Sequence, residues 1–288
     1  MKVHSTLVVS VLVACVACGQ SADKTPASPA PPNYAAGDTL LPHRTLTIES
    51  RVLREKRRIN IYVPPGYDTK PGARYPILYM PDGGTKEDFP HLTRTVDTAI
   101  RAGQILPIVV VGIENTKRRR DLTGPTLVAK DKTIAAVVGG SEMFRRFIRD
   151  ELFARVREHV RGDGTTAIIG ESLAGLFIVE TFFVAPGMFD AYVAIDPSLG
   201  WNAGEIGRKA AERLMAGSWS GRSLHLSSAG KSKNDGNSVQ ARPLVMALKK
   251  HAPKGMRWKY EPRPEQNHST IYRATKLAAL KWMFPPNP

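Results

Sequence analysis

The sequence predicts an α/β fold built on a mostly parallel central sheet, with an antiparallel start and helices on both faces. Three observations lead there. Strand-like and helix-like stretches alternate along residues 41–288. Several strand candidates are near-continuous apolar runs, the pattern of strands buried on both faces. The first two strand candidates instead alternate with period 2 and read as an antiparallel pair.

RTLTIES (44–50) and RRINIYVP (57–64) are that pair. YPILYM (75–80) is a continuous apolar run ending in Pro81-Asp82-Gly83-Gly84, a strand entering a tight loop. ILPIVVVGI (105–113) is another buried strand, and the long connection 116–140 after it is expected to line the site. Residues 141–160 place Phe144, Phe147, Ile148, Leu152, Val156 and Val160 along one stripe, which predicts an amphipathic helix. TTAIIG (165–170) is a strand, followed by a short turn around Ser172 and a helix over 174–184. AYVAID (191–196), SLHLSSA (223–229) and RWKYEP (257–262) supply the later strands, with helices over 204–217, 238–251 and 269–284. Neither G-x-G-x-x-G nor G-x-x-x-x-G-K-[ST] occurs, so nucleotide binding has no support and no cofactor is implied.

A chain of 288 residues, 42% hydrophobic, can bury one large core. Its 41 Lys+Arg against 26 Asp+Glu give a net charge of +15, which suits contact with anionic envelope surfaces. The basic residues are scattered, the longest cluster being 117–120, and no nucleic-acid motif accompanies them, so no nucleic acid is expected as a partner. Residues 1–18 combine a short basic start, the apolar stretch STLVVSVLVA and small residues, as in a secretory signal. Both cysteines of the chain, Cys15 and Cys18, fall there, so the rest has no disulfide, Cys-zinc site or thiol nucleophile to offer. Leu12-Val13-Ala14-Cys15 is similar to the lipobox of bacterial lipoproteins, and Cys18 is a second acceptor. The expectation is a lipid anchor at one of them, facing the periplasm of a bacterial envelope, with ordinary signal cleavage as the alternative. Residues 19–40 are Pro/Ala-rich and read as a tether, leaving 41–288 as the folded domain.

The stretch 168–177, IIGESLAGLF, sets a serine on a strand-to-helix turn. A serine there is either a plain helix N-cap or a nucleophile. Gly170-Glu171-Ser172-Leu173-Ala174-Gly175 is close to the G-x-S-x-G turn of α/β-hydrolases, with Ala174 in place of the last glycine. The strand before and helix after it supply the context the motif needs. In that fold the order is Ser, then acid, then His. Of seven histidines, His268 occupies the loop between the last strand and the last helix. The acid is expected after the strand 223–229, at Asp235; Asp196 competes, Glu265 lies near His268 in sequence, and a Ser-His dyad is the remaining option. Two backbone donors are needed for an oxyanion: the N–H of Leu173, and one from the loop at Gly83 and Gly84.

These residues carry a resemblance. YPILYMPDGG, VVVGIENTKRRRDLTGP, GESLAGLF, FDAYVAIDPSLGWN and EQNHST are together similar to the Putative esterase family of α/β-hydrolases, which includes enterochelin-esterase-like enzymes, esterase D and feruloyl esterases. The resemblance runs from about Arg44 to Phe284. It implies Ser172 as nucleophile, His268 as base, and Leu173 with Gly83 and Gly84 as the oxyanion hole. It implies that Asp82, Arg120, Asp196 and Trp201 shape the substrate site rather than do chemistry. Two departures stand out: Glu171 where His is frequent before the serine, and Gly200-Trp201 in place of a more usual aromatic pair. The expected activity is hydrolysis of a small-molecule or glycan-borne ester. Acyl transfer to a sugar or other alcohol, and a non-catalytic binding module, are the alternatives.

Overall fold

The computed structural model describes Met1, residues 38–230 and residues 237–286. Most of the expected signal and tether, both candidate lipidation cysteines (Cys15 and Cys18) and Asp235 lie outside the described residues. Strands β1 (Arg44–Ser50), β2 (Glu55–Tyr62), β3 (Tyr75–Pro81), β4 (Val109–Ile113), β5 (Gly162–Glu171), β6 (Ala191–Ile195), β7 (Ser223–Ala229) and β8 (Arg257–Arg263) form one sheet. Its order among the described residues is β1-β2-β4-β3-β5-β6-β7-β8. The β1–β2 and β2–β4 pairs are antiparallel, and every later pair is parallel. This is the expected architecture.

The helices are α1 (Phe89–Arg101), α2 (Arg118–Asp121), α3 (Ser141–Phe147), α4 (Phe153–Arg157), α5 (Leu173–Val184), α6 (Trp201–Arg208), α7 (Ala210–Ala216), α8 (Asn237–His251) and α9 (Ile271–Met283). The single helix expected over 141–160 is broken by a π-turn at Ile148–Leu152, although its whole stripe from Phe144 to Val160 is buried as expected. The stretch 204–217 splits at Lys209 into α6 and α7, and α6 carries a left-handed run at Asn202, Ala203 and Gly204. Helix α1 has no counterpart in the sequence expectations. Its Phe89, Leu92, Val96 and Ala99 recur at helical spacing and are all buried.

Period-2 geometry divides the apolar strands between two cores. Ile77 and Tyr79 of β3, Val109 and Val111 of β4 and Ile168 of β5 face one side, with Phe144, Phe147, Phe177 and Phe182 of the covering helices. Leu78, Met80, Val110, Ala167 and Ile169 face the other, under α1 and α9. Both faces are apolar and both are covered, which is why these strands read as unbroken hydrophobic runs.

One ion cluster interrupts the first core. Arg57 and Asp121 are fully buried and 2.6 Å apart. Arg57 also donates to Glu55 (2.9 Å), Thr116 Oγ1 (2.6 Å) and the Glu114 carbonyl (3.0 Å), and its guanidinium lies 5.2 Å from the Phe144 ring centre. The cluster ties β2 to the start of the 116–140 connection. Removing one partner of such a pair strands a charge in a dry site. Asp121→Ala is expected to lower unfolding stability by about 3–5 kcal/mol in urea titration, and a loss below about 1 kcal/mol would mean that Glu55 alone satisfies Arg57.

Candidate active site

Three strands end on the same edge of the sheet with a residue in left-handed backbone: Asp82 after β3 (φ 56°), Ser172 after β5 (φ 58°) and Asp196 after β6 (φ 44°). Each such non-glycine conformation costs about 1–3 kcal/mol and gathers at functional sites. In open α/β sheets the carboxyl ends of the strands are also where ligands bind.

At the β5 turn, the Ser172 N–H donates to the Ile195 carbonyl (3.1 Å), and the Ser172 carbonyl accepts from Ser198 N–H (3.1 Å) and Leu176 N–H (2.9 Å). The Ser172 side chain makes no capping bond to α5, so the plain N-cap reading does not describe it. Its Oγ lies 3.4 Å from Ser198 Oγ. The motif's small residues fill a steric need: a Cβ on Gly170 would sit 2.6 Å from Ala174 Cβ, and one on Gly175 3.0 Å from Pro197. Leu173 occupies the first helical position of α5, whose N–H has no intrahelical acceptor and sits at the positive end of the helix dipole.

The carboxylate at the His268 ring is that of Asp196. Its Oδ2 accepts from His268 Nδ1 at 2.6 Å. The other oxygen, Oδ1, accepts from the Ala229 N–H (2.9 Å), and the Asn237 amide donates to Oδ2 (3.0 Å) and to the Asp196 carbonyl (2.9 Å). Asp196 is buried while the His268 side chain is 53% exposed. The sequence expectation put Asp235 first and Asp196 second. Asp235 lies outside the described residues, Glu265 is exposed, and the described geometry gives the ring to Asp196. The reason is positional: the end of β6 lies between the ends of β5 and β7, and donors from β7 and α8 converge on its carboxylate. The Asp196 hydrogen bond holds the His268 pKa above its ordinary value of 6.5.

The loop after β3 departs from expectation. The Gly83 N–H donates to the Ile113 carbonyl (3.0 Å), and the Gly84 N–H to Glu87 Oε2 (2.7 Å), so both expected oxyanion donors are engaged within the fold. Gly83 is needed for a different reason: a Cβ there would meet the Gly112 and Ile113 backbone at 2.3 Å. Asp82 is clamped by both guanidinium arms of Arg118, at 2.6 and 2.8 Å. Sequence reading singled out Arg120, two residues on; its guanidinium is taken up by Glu55 and Asp121 in the buried ion cluster. Trp201 Nε1 donates to the Gly124 carbonyl at 2.9 Å, pinning the 116–140 connection to the loop after β6.

Two carboxyl groups at this edge have raised pKa values. Burial pushes Glu87 up to about 7, with Asp82 adding to it. Burial pushes Glu171, the residue before Ser172, up to about 8.

Comparison with known proteins points the same way. Residues 50–266 match the Putative esterase family. A stretch of 164 residues, 51% of the chain, is 30% identical to the ferri-bacillibactin esterase BesA of Bacillus subtilis and covers 56% of that protein. Another of 144 residues is 32% identical to the siderophore triacetylfusarinine C esterase of Aspergillus fumigatus, over 44% of the chain and 46% of that enzyme. The chain thus spans about half the length of these two relatives. Among solved structures, an IroE-like serine hydrolase from Shewanella oneidensis superposes with a TM-score of 0.76 at 27% identity, covering 84% of this chain and 80% of that one.

The Asp196 contact makes a direct expectation for the ring. Followed by NMR, the His268 imidazole is expected to titrate above 6.5, and in Asp196→Asn its pKa should fall. A ring whose titration ignores the substitution would separate the two groups.

Proposed function

The chain belongs to the Putative esterase family, and from that premise we propose that it is an exported serine carboxylic-ester hydrolase acting through an acyl-enzyme on Ser172. The observation that carries the reading is the left-handed Ser172 turn set on the same sheet edge as the buried Asp196 carboxylate bonded to His268. The Asp196 contact fixes the proton on His268 Nδ1 and leaves Nε2 free to accept one. His268 takes the Ser172 Oγ proton as Oγ attacks the ester carbonyl, and the Leu173 N–H donates to the oxyanion. The tetrahedral species collapses, His268 protonates the departing alcohol, and water repeats the sequence to free the acid. Asp196 orients the ring and balances the imidazolium, the role assigned to Asp235 from sequence.

Small-molecule siderophore esters are the substrate class we favour, because the relatives named above are esterases of ferri-bacillibactin and of triacetylfusarinine C. Residues 1–18 as a secretory signal, a lipid-modified Cys15 or Cys18, and residues 19–40 as a tether would hold the domain 41–288 at the envelope, where such esters arrive from outside. Mass spectrometry of the mature N-terminus reads the lipid directly; an unmodified start beyond Cys18 would leave a free periplasmic or secreted enzyme.

Ser172→Ala is expected to reduce hydrolysis of p-nitrophenyl esters and of ferri-bacillibactin by at least about a hundredfold, with its thermal midpoint near wild type. Asp196→Asn should cost about two to four orders of magnitude by favouring the wrong histidine tautomer, while Asp235→Asn leaves the rate near wild type. The reverse order of the two Asp variants would return the acid to Asp235.

A further inference from the structure

Glu171 is chemically out of place. It stands beside Ser172 on the same turn, its Oε1 is buried, and that oxygen has no hydrogen-bond partner. The Tyr272 hydroxyl is likewise buried and unpartnered, on a residue only 4% exposed. The groups acting on Glu171 are Asp82 and Asp88 from the loop after β3, Asp196 from the end of β6 and His268 from the loop before α9, and Glu171 acts in turn on Tyr272 of α9. Arg118, the nearby cation, is held by both oxygens of Asp82.

We propose that Glu171 is a positioning residue that works as a neutral carboxylic acid, and that its ionisation switches the proposed serine chemistry off. The charge distribution supplies the reason. Three aspartates already act on Glu171, and each is engaged: Asp82 by Arg118, Asp88 by His91 and Asp196 by His268. A fourth negative charge has no partner there, and burial with those aspartates holds the Glu171 proton up to about pH 8 against the opposing pull of His268.

Loss of that proton acts on the attack. There the Oγ–H bond breaks, its proton passes to His268 Nε2, the Oγ–carbon bond forms and the carbonyl π pair moves onto oxygen. A glutamate anion next to Ser172 opposes the new negative charge. The neutral acid does not. The pH range of the serine is therefore bounded below by His268 and above by Glu171.

The inference rests on the serine reading above, and the test separates the two. The probe is a fluorophosphonate, which needs no knowledge of the ester: Ser172 Oγ bonds to phosphorus, fluoride leaves and His268 takes the proton. Inactivation rates are measured from about pH 5 to about pH 10 on the wild type and on Glu171→Gln, Glu171→Asp and Lys276→Met. The wild-type rate is expected to rise through the His268 limb and to fall above about pH 8, by about tenfold per pH unit. Glu171→Gln should keep the rise and lose the fall. Glu171→Asp, which keeps a carboxylic acid, should retain a fall. Lys276, which burial brings down to about 8, titrates in this range beside Glu87, pushed up to about 7, and Lys276→Met should retain the wild-type fall. Superimposable profiles for wild type and Glu171→Gln would overturn the proposal, as would loss of the fall in Glu171→Asp or in Lys276→Met. A wild type that the probe does not inactivate at any pH, while Ser172→Ala behaves identically, would sink the serine reading itself. If Glu171→Gln does not fold, Glu171→Asp and Lys276→Met against the wild type still decide the matter.

Discussion

The left-handed backbone at Ser172 is the constraint on which the rest of the site depends. Left to itself a serine avoids φ near +58°, because Cβ crowds the carbonyl oxygen. It is held there from both sides. The sheet pairs β5 with β6 in parallel up to Glu171↔Ile195, and the next N–H along, that of Ser172, still finds the Ile195 carbonyl. Ser198, already past the end of β6, then returns its own N–H to the Ser172 carbonyl. The strain is thereby distributed over two strands and the first turn of α5, and the missing side chains of Gly170 and Gly175 let helix and loop close in. A turn assembled this way presents Oγ at the sheet edge instead of folding it back as a cap.

Electrostatics complete what the backbone begins. The chain carries +15 overall, yet the edge around Ser172 gathers Asp82, Glu87, Asp88, Glu171 and Asp196. They are not equivalent. Asp196 is buried and surrounded by donors, from Ala229, Asn237 and His268. Glu171 has a buried Oε1 with no such donor, and burial pushes its carboxyl up to about 8. The two acids acting on His268 therefore differ in their supply of donors, and only Asp196 holds the ring by a hydrogen bond.

What the sequence made legible divides along the same physical line. The Ser172 turn and the His268 loop have local signals: a small-residue turn between strand and helix, and a histidine between the last strand and the last helix. The apolar strands were readable because both their faces are covered. Four features were not, three of them because they depend on distant partners. Helix α1 opens with Phe89-Pro90 directly after the loop at Gly83 and Gly84, where the turn signals dominate the local pattern. The loop glycines look like free donors until β4 is seen to take one N–H and Glu87 the other. Arg118 and Arg120 are indistinguishable as sequence, both lying in one basic run, and only the three-dimensional placement sends Arg120 to Glu55 and Arg118 to Asp82. The choice between Asp196 and Asp235 was of the same kind, since chain order permits either and the converging donors favour one.

An orienting acid at the end of β6 has a mechanical consequence. Asp196 and Ser172 are joined by the backbone bonds that close the β5–β6 edge, so these two members of the proposed constellation are built into one hydrogen-bonded unit. His268 is the exception. It rides on a loop after β8 at the far side of the sheet order, with its side chain more than half exposed. Local turns at Asn267 stiffen that loop, with Thr270 and Ile271 N–H groups returning to the Asn267 carbonyl, but they do not connect it to β5. The 2.6 Å contact to Asp196 does, through the end of β6. It therefore carries two loads at once, setting the tautomer of the ring and anchoring an exposed loop to the rigid edge. A carboxylate from elsewhere in the chain could perform the first task. Only one built into the β5–β6 unit, buried and fixed by β7 and α8 donors, can perform the second.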